Sequence, residues 1–267
     1  MKHYFLMIKA VFFDIDGTLV SFKTHTVPAS AQEALKCLRE KGIKTFIATG
    51  RPKDLMMKAV GFLPFDGFVT LNGSHCFTAL GGEDIYKGCI PQEDIERLIV
   101  YSRRHPEIPF VFVDEEGWFI TSSNADVEEV SRLIEISVPP VLPVEAARDR
   151  EVLQMMGYFG EEKDSELFGE VLSHCTPMRW HPLFTDIIAR GNSKSRGIDK
   201  VLAHYGIGLK ETMAFGDGGN DIPMLAHVGL GVAMGNASQS VRAVSDYVTT
   251  SVDEDGIMNA LKYFGIL

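Results

Sequence analysis

The apolar run over residues 8–13 (Ile-Lys-Ala-Val-Phe-Phe) stops abruptly at Asp14-Ile15-Asp16-Gly17-Thr18, and this junction constrains the fold more than any other stretch. β-favouring residues that give way at once to carboxylates describe a buried strand opening into a loop, with Gly17 permitting a sharp turn. Pro28 then opens a helix in which Ala31, Ala34, Leu35 and Leu38 recur at helical spacing, and Gly42 closes it. Residues 43–48 form a second strand that ends at Thr49-Gly50-Arg51-Pro52. A helix over about 52–60 leads to a third strand over 67–71, ending at Asn72-Gly73. Strand, helix, strand, helix, strand at this spacing predicts parallel pairing through right-handed crossovers.

From about His75 the pattern changes to short strands, a Gly81-Gly82 turn, a helix over about 91–104 and a hairpin across Asp114-Glu115-Glu116-Gly117. Further expected elements are a helix over about 125–134, strands near 152–158, 177–180 and 185–189, and a helix near 165–172. After Gly191 the helix and strand alternation returns, with a strand over 212–215 and the loop Gly216-Asp217-Gly218-Gly219-Asn220-Asp221. The chain therefore reads as a core of residues 1–82 and 188–267 carrying an inserted α+β domain over 83–187. A length of 267 residues suits two domains at ~150 residues each.

Composition narrows the partners. Lys and Arg number 26 against 36 Asp and Glu, a formal charge of −10, which disfavours nucleic acid and anionic membranes as general partners. Residues 4–7 are too short for the hydrophobic region of a secretion signal, and no apolar run reaches the ~18 residues that span a bilayer. The expected location is the cytoplasm. The four cysteines show no metal-binding spacing, and oligomeric state is left open.

Asp14, Asp16, Thr49, Asn72 and Asp217 all fall just after expected strands, which gathers them at one edge of an open parallel sheet, where such folds bind ligands. Two carboxylates two residues apart, with a third 201 positions later, suit a hard cation such as Mg²⁺. A cation would also screen an anionic phosphoryl group from this acidic surface.

Asp14-Ile15-Asp16-Gly17-Thr18-Leu19, Thr49-Gly50-Arg51, a lysine at Lys194 and the run from Gly216 to Asp221 resemble the four motifs of the haloacid dehalogenase superfamily. Leu71-Asn72-Gly73, the insertion, Val248-Thr249 and Asp253-Glu254-Asp255-Gly256 resemble its Cof-type phosphatases. The resemblance implies an α/β, three-layer, Rossmann-like core with a mostly parallel sheet, and a cap that closes over the active site and chooses the substrate. It implies Asp14 as nucleophile, forming an aspartyl-phosphate, and Asp16 as the acid and base. On this view Asp14 stays ionised on the metal while Asp16 titrates higher. Mg²⁺ is expected on the Asp14 carboxylate, the Asp16 backbone carbonyl and Asp217, with Asn220 and Asp221 in support. Thr49 and the Gly50 amide would hold a phosphoryl oxygen, and Lys194 would neutralise its charge, with Arg196 or Lys200 as competitors for that role. Arg51 would reach substrate or the insertion, and Asn72 would contact substrate or position the site. Arg179, Trp180, His181, Thr185 and Asp186 form a polar and aromatic cluster that could face a leaving group, and Asp253 to Asp255 would cap the last helix. The function implied is Mg²⁺-dependent hydrolysis of small phosphorylated metabolites, sugar phosphates first. Alternatives on the same fold are a phosphomutase and a non-catalytic phosphate-ligand sensor.

Overall fold

The structure is a computed structural model describing residues 7–133 and 136–267; the run before Met7, the expected helix end at Ile134 and the Trp180 side chain lie outside the described residues. The chain divides into two compact units, Met1–Tyr86 with Ser193–Leu267, and Lys87–Asn192.

In chain order the strands are β1 (Ala10–Phe13), β2 (Lys44–Ala48), β3 (Gly67–Thr70), β4 (His75–Thr78), β5 (Asp84–Lys87), β6 (Phe110–Val113), β7 (Trp118–Ile120), β8 (Gln154–Gly157), β9 (Cys175–His181), β10 (Phe184–Ala189), β11 (Thr212–Gly216), β12 (Leu230–Ala233) and β13 (Tyr247–Val248). The first unit is built on an eight-stranded sheet in the order β13-β12-β11-β1-β2-β3-β4-β5. Neighbours from β13 to β3 pair in parallel and β4 runs antiparallel to β3, so the mostly parallel sheet expected from the sequence is present.

Alternation along the strands feeds two separate cores. Val11, Phe13, Ile47 and Phe215 pack with the helices Ala29–Glu40 and Gly256–Tyr263 on one face. Ala10, Phe12, Phe46 and Ala214 pack with the helix Lys194–Tyr205 on the other, which makes three layers. Phe12, Phe13, Phe46 and Phe215 are fully buried, and burial of each such side chain is worth roughly 1.5–3 kcal/mol. Phe13 stacks on Phe215 at 5.3 Å, across the central β1–β11 pair.

The second unit carries a five-stranded sheet, β7-β6-β8-β10-β9, whose pairings are all antiparallel. Its core packs Ile95, Leu98 and Ile99 of the helix Gln92–Arg104 against Phe110, Phe112 and Met155.

Asp14 follows β1, Thr49 follows β2, the single turn Leu71–Gly73 follows β3, and Asp217 follows β11. Because β11, β1, β2 and β3 are adjacent and parallel, four loops far apart in sequence open on the same sheet edge.

Candidate active site

Lys194 begins the helix Lys194–Tyr205, behind Ser193, whose hydroxyl caps that helix by accepting from the Arg196 amide at 3.1 Å. The lysine side chain is fully buried, with Nζ 2.6 Å from Asp14 Oδ1 and 2.6 Å from Asp221 Oδ1. Arg196 and Lys200, the competing cations, lie over the Tyr86 ring instead, at 5.8 and 5.1 Å. The helix turn divides these side chains between two faces, and the structure brings Lys194 to Asp14.

Asp221 engages both of its oxygens. Oδ1 accepts from Lys194, while Oδ2 accepts from the Asp217 and Gly218 amides at 3.0 and 2.9 Å. It braces the loop that presents Asp217. The Asp217 carboxylate accepts from Thr18 Oγ1 at 3.1 Å on Oδ1 and from Asn236 Nδ2 at 3.0 Å on Oδ2. Gly17 makes this approach possible: its φ is +79°, and a Cβ there would lie 2.2 Å from Asp217 Oδ2.

Carboxylates outnumber cations here. Burial and then Asp221 raise the Asp14 carboxyl well above the usual carboxylate range, against the pull of Lys194. Burial, again followed by Asp221, pushes Asp217 up to about 7. Burial pulls the Lys194 ammonium down, but Asp14 and Asp221 outweigh it and raise it, so the lysine stays charged. One ammonium therefore serves two buried acids, with Asp217 close by. Oxygen atoms of Asp14, Asp217 and Asp221 lie within 4.8 Å of one another. Hard oxygen donors carrying excess negative charge fit a small divalent cation such as Mg²⁺.

Asp16 is engaged differently from the expectation. Arg51 Nε donates to its Oδ2 at 2.8 Å and Nη2 to its Oδ1 at 2.6 Å, a two-pronged ionic contact that ties the loop after β1 to the loop after β2. Thr49 is buried, and its hydroxyl accepts from the Arg51 amide at 3.1 Å. Asn72 is buried, accepts from Asn220 Nδ2 at 3.2 Å, and lies against Gly50, where a Cβ would be 3.1 Å from Asn72 Oδ1. The structure thus gathers Asp14, Lys194, Asp217 and Asp221 in one cluster, pairs Asp16 with Arg51, and joins Asn72 to Gly50 and Asn220.

Two stretches away from this cluster were also singled out in the sequence. In the second unit, Arg179 donates to the Phe159 carbonyl at 2.8 Å and to Asp164 at 2.7 Å, so it braces its own unit. Asp255 does stand at the N-cap of the last helix, but with no side-chain capping hydrogen bond. Asp253 instead accepts from Ser21 Oγ at 2.6 Å and pairs with Lys23 at 2.9 Å. Sequence reasoning passed over Asn236, which touches both Asp217 and the loop after β1. Its place just beyond β12, at the same sheet edge, was the available signal.

A model of the haloacid dehalogenase-like hydrolases matches residues 11–261. YkrA of Bacillus subtilis (strain 168), which carries a phosphatase name, is 33% identical over 260 residues, covering 97% of this chain and 98% of its own length. Among solved structures, BT1666 from Bacteroides thetaiotaomicron, described among phosphatases of the haloalkanoate (HAD) superfamily, matches with a TM-score of 0.90. It is 40% identical, over 98% of this chain and 97% of its own. BT4131, described as a HAD subclass IIB sugar phosphatase, matches with a TM-score of 0.84 at 44% identity, over 97% of this chain and 100% of its own.

Proposed function

We propose that this chain, which belongs to the haloacid dehalogenase-like hydrolase family and is a phosphatase, hydrolyses small phosphate monoesters, sugar phosphates first, through an aspartyl-phosphate on Asp14. The observation that carries the reading is the fully buried Lys194 ammonium, 2.6 Å from Asp14 at the carboxyl end of the central strand. Similarity to BT4131, a sugar phosphatase by description, supports the substrate class.

In this reading Lys194 holds Asp14 Oδ1, and Oδ2 attacks phosphorus as the bond to the leaving oxygen breaks. Asp16 gives its proton to that oxygen, then takes one from the water that attacks the aspartyl-phosphate, and Asp14 leaves as carboxylate. In this structure both oxygens of Asp16 accept from Arg51, so Asp16 must leave Arg51 and take up a proton from solvent before it can give one to the leaving oxygen. Thr49 and the Gly50 amide bind a phosphoryl oxygen, and Lys194 balances the charge that builds on it. Asp14, the Asp16 backbone carbonyl and Asp217 would hold Mg²⁺, with Asn220 and Asp221 in support. When bound, the ion supplies Lewis-acid neutralisation of phosphoryl charge. Selection of the leaving group is assigned to the Lys87–Asn192 unit.

The test is phosphate release from a panel of sugar, nucleotide and cofactor monophosphates, with and without Mg²⁺, for the wild type and Asp14→Asn. Turnover that needs both Mg²⁺ and Asp14, fastest on sugar phosphates, is expected. Release that survives Asp14→Asn would overturn the nucleophile. Absence of release on every substrate would point to a phosphomutase or a sensor.

A further inference from the structure

We propose that Asn236 is a positioning residue that aims the Asp217 carboxylate at its cation by joining the loops after β1, β11 and β12. The inference rests on the reading that Asp217 helps to hold the metal.

A neutral amide offers two N–H donors on one nitrogen and an oxygen acceptor, and Asn236 uses every one of these groups. Its Nδ2 donates to the Gly17 carbonyl at 2.9 Å and to Asp217 Oδ2 at 3.0 Å, while its Oδ1 accepts from the Val252 amide at 3.1 Å. The two N–H bonds of a planar amide point in fixed directions, so the distance between Gly17 and Asp217 is set by one rigid group. The backbone around the amide is held as well. The Gly235 amide donates to the Thr250 carbonyl at 3.0 Å, and Arg242 donates to the carbonyls of Ala237 and Gly235.

The chemical character of the grip matters as much as its geometry. Asp217 is held on one oxygen by the Thr18 hydroxyl and on the other by the Asn236 amide, both of them neutral. A lysine or arginine in either place would neutralise the carboxylate and compete with a cation. Neutral donors fix its direction without pairing its charge. Outer-shell partners of this kind typically control metal affinity by about 10- to 100-fold. Asn236 is itself solvent-exposed, so its removal opens no cavity in either core and the fold has little to lose.

Isothermal titration of Mg²⁺ into the wild type, Asn236→Ala, Asn236→Gln and Asp217→Asn tests this without any substrate. Asn236→Ala is expected to weaken Mg²⁺ binding about 10- to 100-fold, and Asn236→Gln, which keeps the amide but displaces it by one methylene, to weaken it as well. In phosphate release the half-saturating Mg²⁺ concentration should rise by the same factor. KM at saturating Mg²⁺ should stay within about twofold, because Asn236 orients a ligand and does not meet substrate. Wild-type Mg²⁺ affinity in both Asn236 variants, with binding lost in Asp217→Asn, would overturn the positioning role and leave the metal reading intact. Wild-type affinity in Asp217→Asn would overturn both. A drop in thermal stability in chelator with unchanged Mg²⁺ affinity would make Asn236 purely structural and would also overturn the inference.

Discussion

Lys194 is buried with its ammonium 2.6 Å from Asp14 and from Asp221, so removing the lysine leaves two buried carboxyls uncompensated, whereas removing Asp14 still leaves the ammonium paired with Asp221. Lys194→Ala should destabilise the fold by about 3–5 kcal/mol, the scale for breaking a buried ion pair from one side, as read by urea denaturation. Asp14→Asn should cost turnover roughly 10³-fold or more, as expected for loss of a nucleophile, yet it also removes a buried negative charge, so its stability should equal or exceed that of the wild type. Asp217 gives the pH dependence. Its folded value of about 7 lies above the ordinary 3.8, so between about pH 4 and 7 the folded, metal-free chain holds a proton that the unfolded chain has lost. Stability from this group is therefore full below about pH 4, falls as pH rises through that window, and stays low above it. Asp217→Asn in chelator should raise the melting temperature at pH 8 by about 2–4 °C for each ~1 kcal/mol recovered, and should change it little at pH 4. The contact between Asp14 and Lys194 was legible from their motifs. The partner of Arg51 was not, because a guanidinium after a strand reaches equally well toward substrate or toward a neighbouring loop, and only the 2.6 Å contact with Asp16 decides between them.

At the scale of elements, the turn after β3 does most to assemble the site. Leu71, Asn72 and Gly73 have φ of 51°, 53° and 94°, and a left-handed conformation costs a residue such as Leu71 about 1–3 kcal/mol. That strain swings the Asn72 amide onto Asn220, and it brings Gly73 against the start of the Lys194 helix. A Cβ on Gly73 would lie 1.9 Å from the Ser193 carbonyl oxygen. Gly73→Ala should therefore lose about 2–3 kcal/mol and lower kcat by displacing Lys194. Gly42→Ala is the control: its φ is +73° but nothing lies within 4 Å of an added Cβ, so it should lose about 1 kcal/mol and keep its kcat. Comparing urea midpoints and kcat for the two variants separates backbone strain from displacement of the lysine. Strand positions in the core were readable because each apolar run ended sharply in Asp, Thr or Asn. The turn at residues 71–73 was readable only as a place, since Asn-Gly fits many turns and nothing local announces a left-handed leucine. The partners of Asp253 were hidden for a related reason. Charge near a helix start suggests a cap, but the Ser21 and Lys23 that claim it are more than 200 residues away in sequence.

For the molecule as a whole, the proposed metal site would make cation and proton compete for the same carboxylates. Mg²⁺ should raise stability by about 2.7 kcal/mol at a hundredfold excess over its dissociation constant. Because ligands must be deprotonated to bind it, the gain should be large at pH 8 and small at pH 4. Melting curves with Mg²⁺ and with chelator at both pH values check this, and an equal gain at both would contradict the assignment of Asp14 and Asp217 as ligands. The sheet order has a different consequence, one that concerns the time at which each strand is made. β1 at Ala10 pairs with β11 at Thr212, 202 residues later, and at about 5–20 residues per second a ribosome needs roughly 10–40 s to bridge that gap. Throughout that interval the nascent chain carries a central, wholly apolar strand with one edge open, and by its last stage, once residue 192 is made, every strand of the contiguous Lys87–Asn192 unit is complete. Chains stalled or truncated between residues 192 and 212 should therefore be the species that aggregate and that chaperones retain, more than chains released full length.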